Sequence, residues 1–358
     1  MKLDKRKISR RKLLGGAAGV TAALPFLHET LPHQGAHDQF AQAQDAHGGG
    51  RGTSSRPGSS SVAHKGAGHR GTVGSVDPRT NGFDPTEILR DFDAGTVTNE
   101  GGRAVRTFEL VAEDKQIEVA PGVKFDAWTY NGRVPGPTLR AKEGERVRVK
   151  FVNGSNHPHT VHFHGIHMDV HDGIPGVGPG NIGPGGSYTY EFDAFPFGLH
   201  HYHCHSTPLA EHIAKGLYGT FIIDPKDGRP EADELVMVMN GFDTNFDRTN
   251  EIYAVNTVAF AYDEKPIKVK RDQLIRMYVV NILEYDLLNS FHIHGNFFDY
   301  YPTGTRLEPT EFTDTITQAQ GQRGIVELKF PFTGKYMFHA HVSEFAELGW
   351  MGFFEVED

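Results

Sequence analysis

Two stretches of the chain pass through the same order of events, and this repeat limits the possible fold more than any other feature. Each opens with an alternating segment that ends in Val-Asn, at Val152-Asn153 and at Val280-Asn281. Each continues into His-x-His-Gly, at His162 to Gly165 and His292 to Gly295, and then reaches a late His-x-His, at His203 to His205 and His339 to His341. A recurrence of this kind reads as a duplicated structural unit. Segments such as Arg146 to Val152 and Ser187 to Phe192 alternate polar with apolar residues and are set off by Gly, Pro and Asn. That is the pattern of strands and turns. No long helical periodicity interrupts it, so the expected fold class is all-β, with two sandwich or barrel domains in tandem. The turn-rich run Pro225 to Pro230 divides them, giving domains at 101–228 and 229–358.

Residues 1–43 read as an export signal: basic residues Lys5, Arg6 and Lys7, then Arg10 and Arg11, then a small-residue apolar run to Leu27. The paired arginines resemble a twin-arginine signal, which implies a periplasmic or extracellular destination. An apolar run of about 15 residues falls short of the ~20 that a membrane span needs, so no span is expected in the mature chain. Residues 44–100 are expected to be a tether and lead-in, rich in Gly, Ser, Arg and His up to about Asn81 and flexible for want of anything to bury. Its histidines His47, His64 and His69 are given no role. The formal net charge is −9, and residues 1–43 hold 7 of the 36 basic but only 3 of the 45 acidic residues. The remainder is more acidic still, which excludes nucleic acid as an expected partner.

The single cysteine, Cys204, cannot form an internal disulfide and stands between two histidines. On a strand, residues two apart share a face. His203 and His205 therefore look one way and Cys204 the other. His159, three residues before His162, falls on the face opposite His162 and His164 if the strand is regular, and so can join Cys204. A soft thiolate with two imidazoles in a trigonal set is the ligand chemistry of a copper electron-transfer site. His212, after the loop Ser206 to Glu211, is the natural third ligand, and Leu217 takes the axial position without coordinating. Eight further histidines, His162, His164, His203, His205, His292, His294, His339 and His341, exceed what one zinc can use and suit a cluster of three coppers. The covalent bridge from Cys204 to His203 and His205 would join the two sites.

With these motifs the chain resembles the multicopper oxidases, in particular their two-domain, laccase-like branch with type 1 copper in the first domain. The run Trp128 to Arg140 is similar to that family's first-domain signature, and His159 to Gly165 and His203 to His212 are similar to its copper motifs. The resemblance implies tandem cupredoxin-like Greek-key sandwiches and four coppers per chain. Type 1 copper would lie on His159, Cys204 and His212, with Leu217 axial. Type 2 copper would take His162 and His292, and the type 3 pair His164, His203, His205, His294, His339 and His341. It also implies a homotrimer whose cluster forms between neighbouring subunits.

The expected activity is oxidation of a small reductant, a phenol, aromatic amine or metal ion, with dioxygen reduced to water. Asp172, Glu344 and Glu347 are the expected proton-relay carboxylates. His167, Met168 and His171 form a possible accessory metal group or plain loop. Two other readings stand beside this one. A copper nitrite reductase has one copper at the interface and no use for His205 or for complete pairs in the second domain. A non-catalytic copper carrier would use the Cys204 site alone.

Overall fold

The structure is a computed structural model that describes residues 73–358; the export-signal reading and the first part of the tether lie outside the described residues. Strands are arranged in four sheets, and no sheet mixes strands from before Asp224 with strands from after Asp233. In the first half, the 18-residue strand Arg103–Ala120 pairs with Arg146–Asn153 in parallel and with Val123–Tyr130 in antiparallel. The sheet facing it runs in the order Phe92–Asp93, Thr138–Lys142, Tyr218–Asp224, Gly198–His203, His162–Phe163. The second half repeats the plan, with His292 opposite His339 as His162 is opposite His203. The all-β, cupredoxin-like expectation holds.

Each half has its own core, because alternation sends every second side chain inward. Phe151, Phe163, Tyr202 and Phe221 fill the first, and Phe291, Phe338, Trp350 and Phe354 the second. A third apolar cluster joins the halves, with Ile117, Phe125 and Ile222 from the first against Val238, Phe242 and Ile252 from the second. Phe242 is fully buried there, its ring 5.1 Å from that of Phe125. Phe242→Ala is expected to lower the unfolding free energy by about 3–5 kcal/mol in a denaturant melt. A loss under about 1 kcal/mol would mean that this seam adds little cohesion.

One expectation is corrected. The lead-in is built into the fold before Asn81, where flexibility was expected. Asp77 caps the short helix Pro78–Asn81 by accepting from the Arg79 N–H, and the buried Asn81 side chain exchanges hydrogen bonds with the Glu118 backbone. Ile88 and Leu89 are also buried. A cap, a proline in the first turn and one well-placed amide anchor a segment whose composition shows little to bury.

Candidate metal centres

The segment before His162 is not regular strand: the strand itself is only His162–Phe163, and His159 sits on an isolated bridge to Ile182. His159 nonetheless turns toward Cys204. Sγ lies 3.3 Å from Nδ1 of His212 and 3.8 Å from Nδ1 of His159, and the two Nδ1 atoms are 3.1 Å apart. His212 rides on the helix Leu209–Ala214, so the expected loop is half helix. The Thr160 N–H donates to Sγ at 3.3 Å. Leu217 is fully buried in the same cluster as Cys204 and offers no donor atom.

Hydrogen bonds decide which nitrogen of His159 is bare. Ser155 Oγ donates to Asp114 Oδ1 at 2.5 Å, and its lone pair faces Nε2 of His159 at 2.9 Å. Nε2 therefore carries the proton and Nδ1 is left as a lone pair aimed at Cys204, the outer support that metal-ligating histidines commonly have. Burial pushes His159 down to about 3 and His212 to about 4, so both are neutral at pH 7. Burial also raises the Cys204 thiol. Three convergent donors and a proton that a metal would displace fit a soft, thiolate-bound copper.

The eight other histidines form two matching half-sets. In the first, Nε2 of His164 and His203 are 3.0 Å apart; in the second, Nε2 of His294 and His339 are 3.1 Å apart. The ring of His162 lies 5.3 Å from that of His205, and His292 lies 5.2 Å from His341. Nδ1 of His162, His203, His292 and His339 each donates to a backbone carbonyl, of Asp172, Cys204, Asp314 and Ala340, at 2.7–2.9 Å. All four thus present a bare Nε2. The N–H groups of His205 and His341 donate to the hydroxyls of Thr160 and Ser290. Donor chemistry and tautomers fit copper in both half-sets.

The half-sets do not meet within one chain. The turn at Gly321 lies against His164, but His292 pairs with Thr315 while the far end of that strand, Ala319, pairs with Leu288. Among the described residues, the compact groups of candidate ligands combine no histidine of the first half-set with one of the second.

Of the three nominated carboxylates only Asp172 touches a histidine, with Oδ1 at 2.9 Å from Nδ1 of His162 and 3.3 Å from Nε2 of His167. These three residues form a further compact group. Glu344 and Glu347 are exposed on the helix Ser343–Glu347, and among the described residues neither hydrogen-bonds nor ion-pairs with His339 or His341. Helical geometry there carries their side chains off the strand face. His171 hydrogen-bonds Tyr188 and Met168 points outward, so neither joins His167. Sequence reasoning missed Asp314, the counterpart of Asp172, whose carboxylate accepts from Thr315 Oγ1; it also missed Ser155 and Asp114. It missed His201 as well, buried with both ring nitrogens unpartnered and its ring 3.7 Å from that of His164, tilted by 36°. The three-histidine parity of His201, His203 and His205 was a signal available for the last.

Because His159, His164, His203 and His212 are held neutral, the copper-free fold binds fewer protons than the unfolded chain between the ordinary histidine range near 6.5 and the lowered values of about 2 to 4. Its stability is therefore expected to be intact above pH 6.5 and to fall as the pH drops from there toward 4. Melting temperature of the copper-free protein against pH checks this. A flat profile across that window would contradict the burial of these rings.

A pair of β-sandwiches with a buried Cys-His-His set and mirrored imidazole half-sets defines a copper-binding protein of the cupredoxin class. The chain belongs to the multicopper oxidase family, which matches at residues 111–228 and again at 230–358. It is similar to a solved multicopper oxidase at 61% identity and TM-score 0.78, over 79% of this chain and all of the other. A blue copper oxidase from Nitrosomonas europaea is 28% identical, TM-score 0.64, over 70% of this chain and 86% of that one. The copper-containing nitrite reductase of Neisseria meningitidis is 34% identical over 253 residues, 64% of this chain and 63% of the relative. The match thus spans under two thirds of that curated relative's length.

Proposed function

We propose that this protein is a laccase-like oxidase that takes single electrons from a small reductant at the Cys204 site and reduces dioxygen to water at a cluster formed by the histidine half-sets. The observation that carries this reading is the completeness of both half-sets, four imidazoles each, with matching tautomers at His162 and His292 and at His203 and His339. A nitrite reductase plan, with one interface copper, leaves several of them without work, and a simple electron carrier leaves all eight.

Copper bound to these donors would supply one-electron transfer at the thiolate site and, with the coppers of the half-sets, a store of the four electrons that dioxygen takes up on reduction to water. The chain's own residues do the rest. His203 is bonded through the peptide to Cys204 and donates from Nδ1 to the Cys204 carbonyl at 2.8 Å, a short path between the sites. Asp172, the one nominated carboxylate in contact with a half-set histidine, is placed to hold or pass a proton at Oδ1.

Since the half-sets lie apart within a chain, the cluster closes when the second half-set of one subunit docks on the first of another. Contacts of this head-to-tail kind close into a ring, and a homotrimer is the assembly proposed. Beside His292 and His294 an open hollow is lined by Phe297 and Phe312, stacked at 5.4 Å and both exposed, apolar surface of the kind that marks an interface. The leader reading supports an exported protein.

The test is the copper-to-chain ratio of the copper-loaded protein lacking residues 44–72, together with dioxygen and nitrite consumption. About four coppers per chain with dioxygen uptake is the expected result. About two with nitrite turnover would replace this reading by the reductase, and about one with neither activity by the carrier.

A further inference from the structure

His159 is fully buried and His212 is 3% exposed, so neither imidazole offers a donor much surface. Trp128 stands over both. Its ring lies 4.8 Å from that of His212 and 5.2 Å from that of His159. It lies near the end of the first-half strand Val123–Tyr130, and its backbone N–H ties it to the helix bearing His212 by donating to the Lys215 carbonyl at 2.9 Å. Around it are three groups that reach the surface. The exposed His157 packs on the indole at 4.6 Å. The Lys215 ammonium sits over the indole at 5.2 Å and over the Phe246 ring at 4.2 Å. Phe246, from the second half, is 54% exposed.

We propose that Trp128 is the electron inlet of the Cys204 site and that the surface made by His157, Lys215 and Phe246 selects electron-rich aromatic reductants. This rests on the oxidase reading above and names the donor class for the same site. A phenol or aromatic amine stacks on rings and is held by an ammonium over its π-face. It docks within contact of the indole and not of a ligand imidazole. One electron leaves the donor, which becomes a radical cation and releases its proton to solvent. With copper held by His159, Cys204 and His212, the electron would cross the indole to His212 and that copper would accept it. Trp128 itself is unchanged. Electron transfer falls off steeply with gap, so an aliphatic side chain that widens the break between donor and imidazole slows it.

The experiment compares wild type, Trp128→Leu and Trp128→Phe, all copper-loaded. The thiolate absorption band and the reduction potential are measured first, then the anaerobic rate at which N,N-dimethyl-p-phenylenediamine bleaches the band. The expected result is an unchanged band and potential in both variants, a rate down roughly tenfold or more in Trp128→Leu, and substantial rescue in Trp128→Phe. An unchanged rate in Trp128→Leu overturns the inlet, and so does a slow rate that the phenylalanine variant fails to rescue. Should the leucine variant lose its band, Trp128→Met, which keeps bulk but removes the aromatic ring, takes its place in a protein carrying a photoreductant on the new thiol of His157→Cys. Cys204 is buried and will not take the label. Electron injection slower than in the same labelled protein with Trp128 supports the inlet, and injection at the same rate overturns it. Absence of any thiolate band in wild type would defeat the oxidase reading itself, a different failure.

Discussion

Replacing Cys204 by alanine is expected to abolish oxidation of organic donors while copper remains on the eight strand histidines. The thiolate absorption should vanish, copper should fall from about four to about three per chain, and dioxygen uptake with any organic reductant should drop to background. The reason is local. Cys204 Sγ is the only sulfur in the set with His159 and His212, and two imidazoles without it form a harder, weaker site. The half-sets keep all their donors, because Nδ1 of His203 bonds the residue 204 carbonyl, which alanine retains. Stability should change modestly, since alanine removes one buried sulfur from a well-packed cluster. Persistence of the absorption band in this variant would show that the visible chromophore lies elsewhere.

Phe312→Arg should separate the subunits of the proposed trimer and, with them, the two functions. Phe312 is 70% exposed, and with Phe297 it walls the hollow at His292 and His294. If a neighbouring subunit covers this wall, a buried arginine without a partner costs about 2–4 kcal/mol at each contact, enough to weaken association by about 30-fold or more. Sedimentation should then show monomer for the variant and the proposed trimer for the wild type. Dioxygen uptake should fall in parallel, while the thiolate band and its reduction by an aromatic amine survive. A variant that stays assembled and fully active would place the subunit contact on another face. One that stays active as a monomer would contradict the closure of the cluster between chains.

Much of this site was legible in the chain. Two-residue periodicity assigned His203 and His205 to one face and Cys204 to the other, and the structure stacks the two rings within 5.8 Å while Sγ turns to His159 and His212. The duplication of motifs forecast the duplication of geometry, down to the matched Nε2 separations. The parity argument reached His159 by a regular strand that is not there; the bridge to Ile182 and the hydrogen bond to Ser155 hold the ring instead. Proton relays were the weakest part. Glu344 and Glu347 are near in number to His339 and His341 but sit on a helix that leads outward, whereas Asp172 returns by a loop to bond His162.

Sequence alone determined the donors and their grouping, because ligand chemistry is a property of side-chain type and strand parity is a property of neighbouring residues. Tertiary structure alone decided which nitrogen of each imidazole is bare, which carboxylate reaches a ring, and that the half-sets stand apart in one chain with Trp128 over both histidines of the Cys204 site. Each of these depends on where segments tens of residues apart come to rest. That is settled by packing and by the pairing of buried polar groups, and no local pattern encodes it.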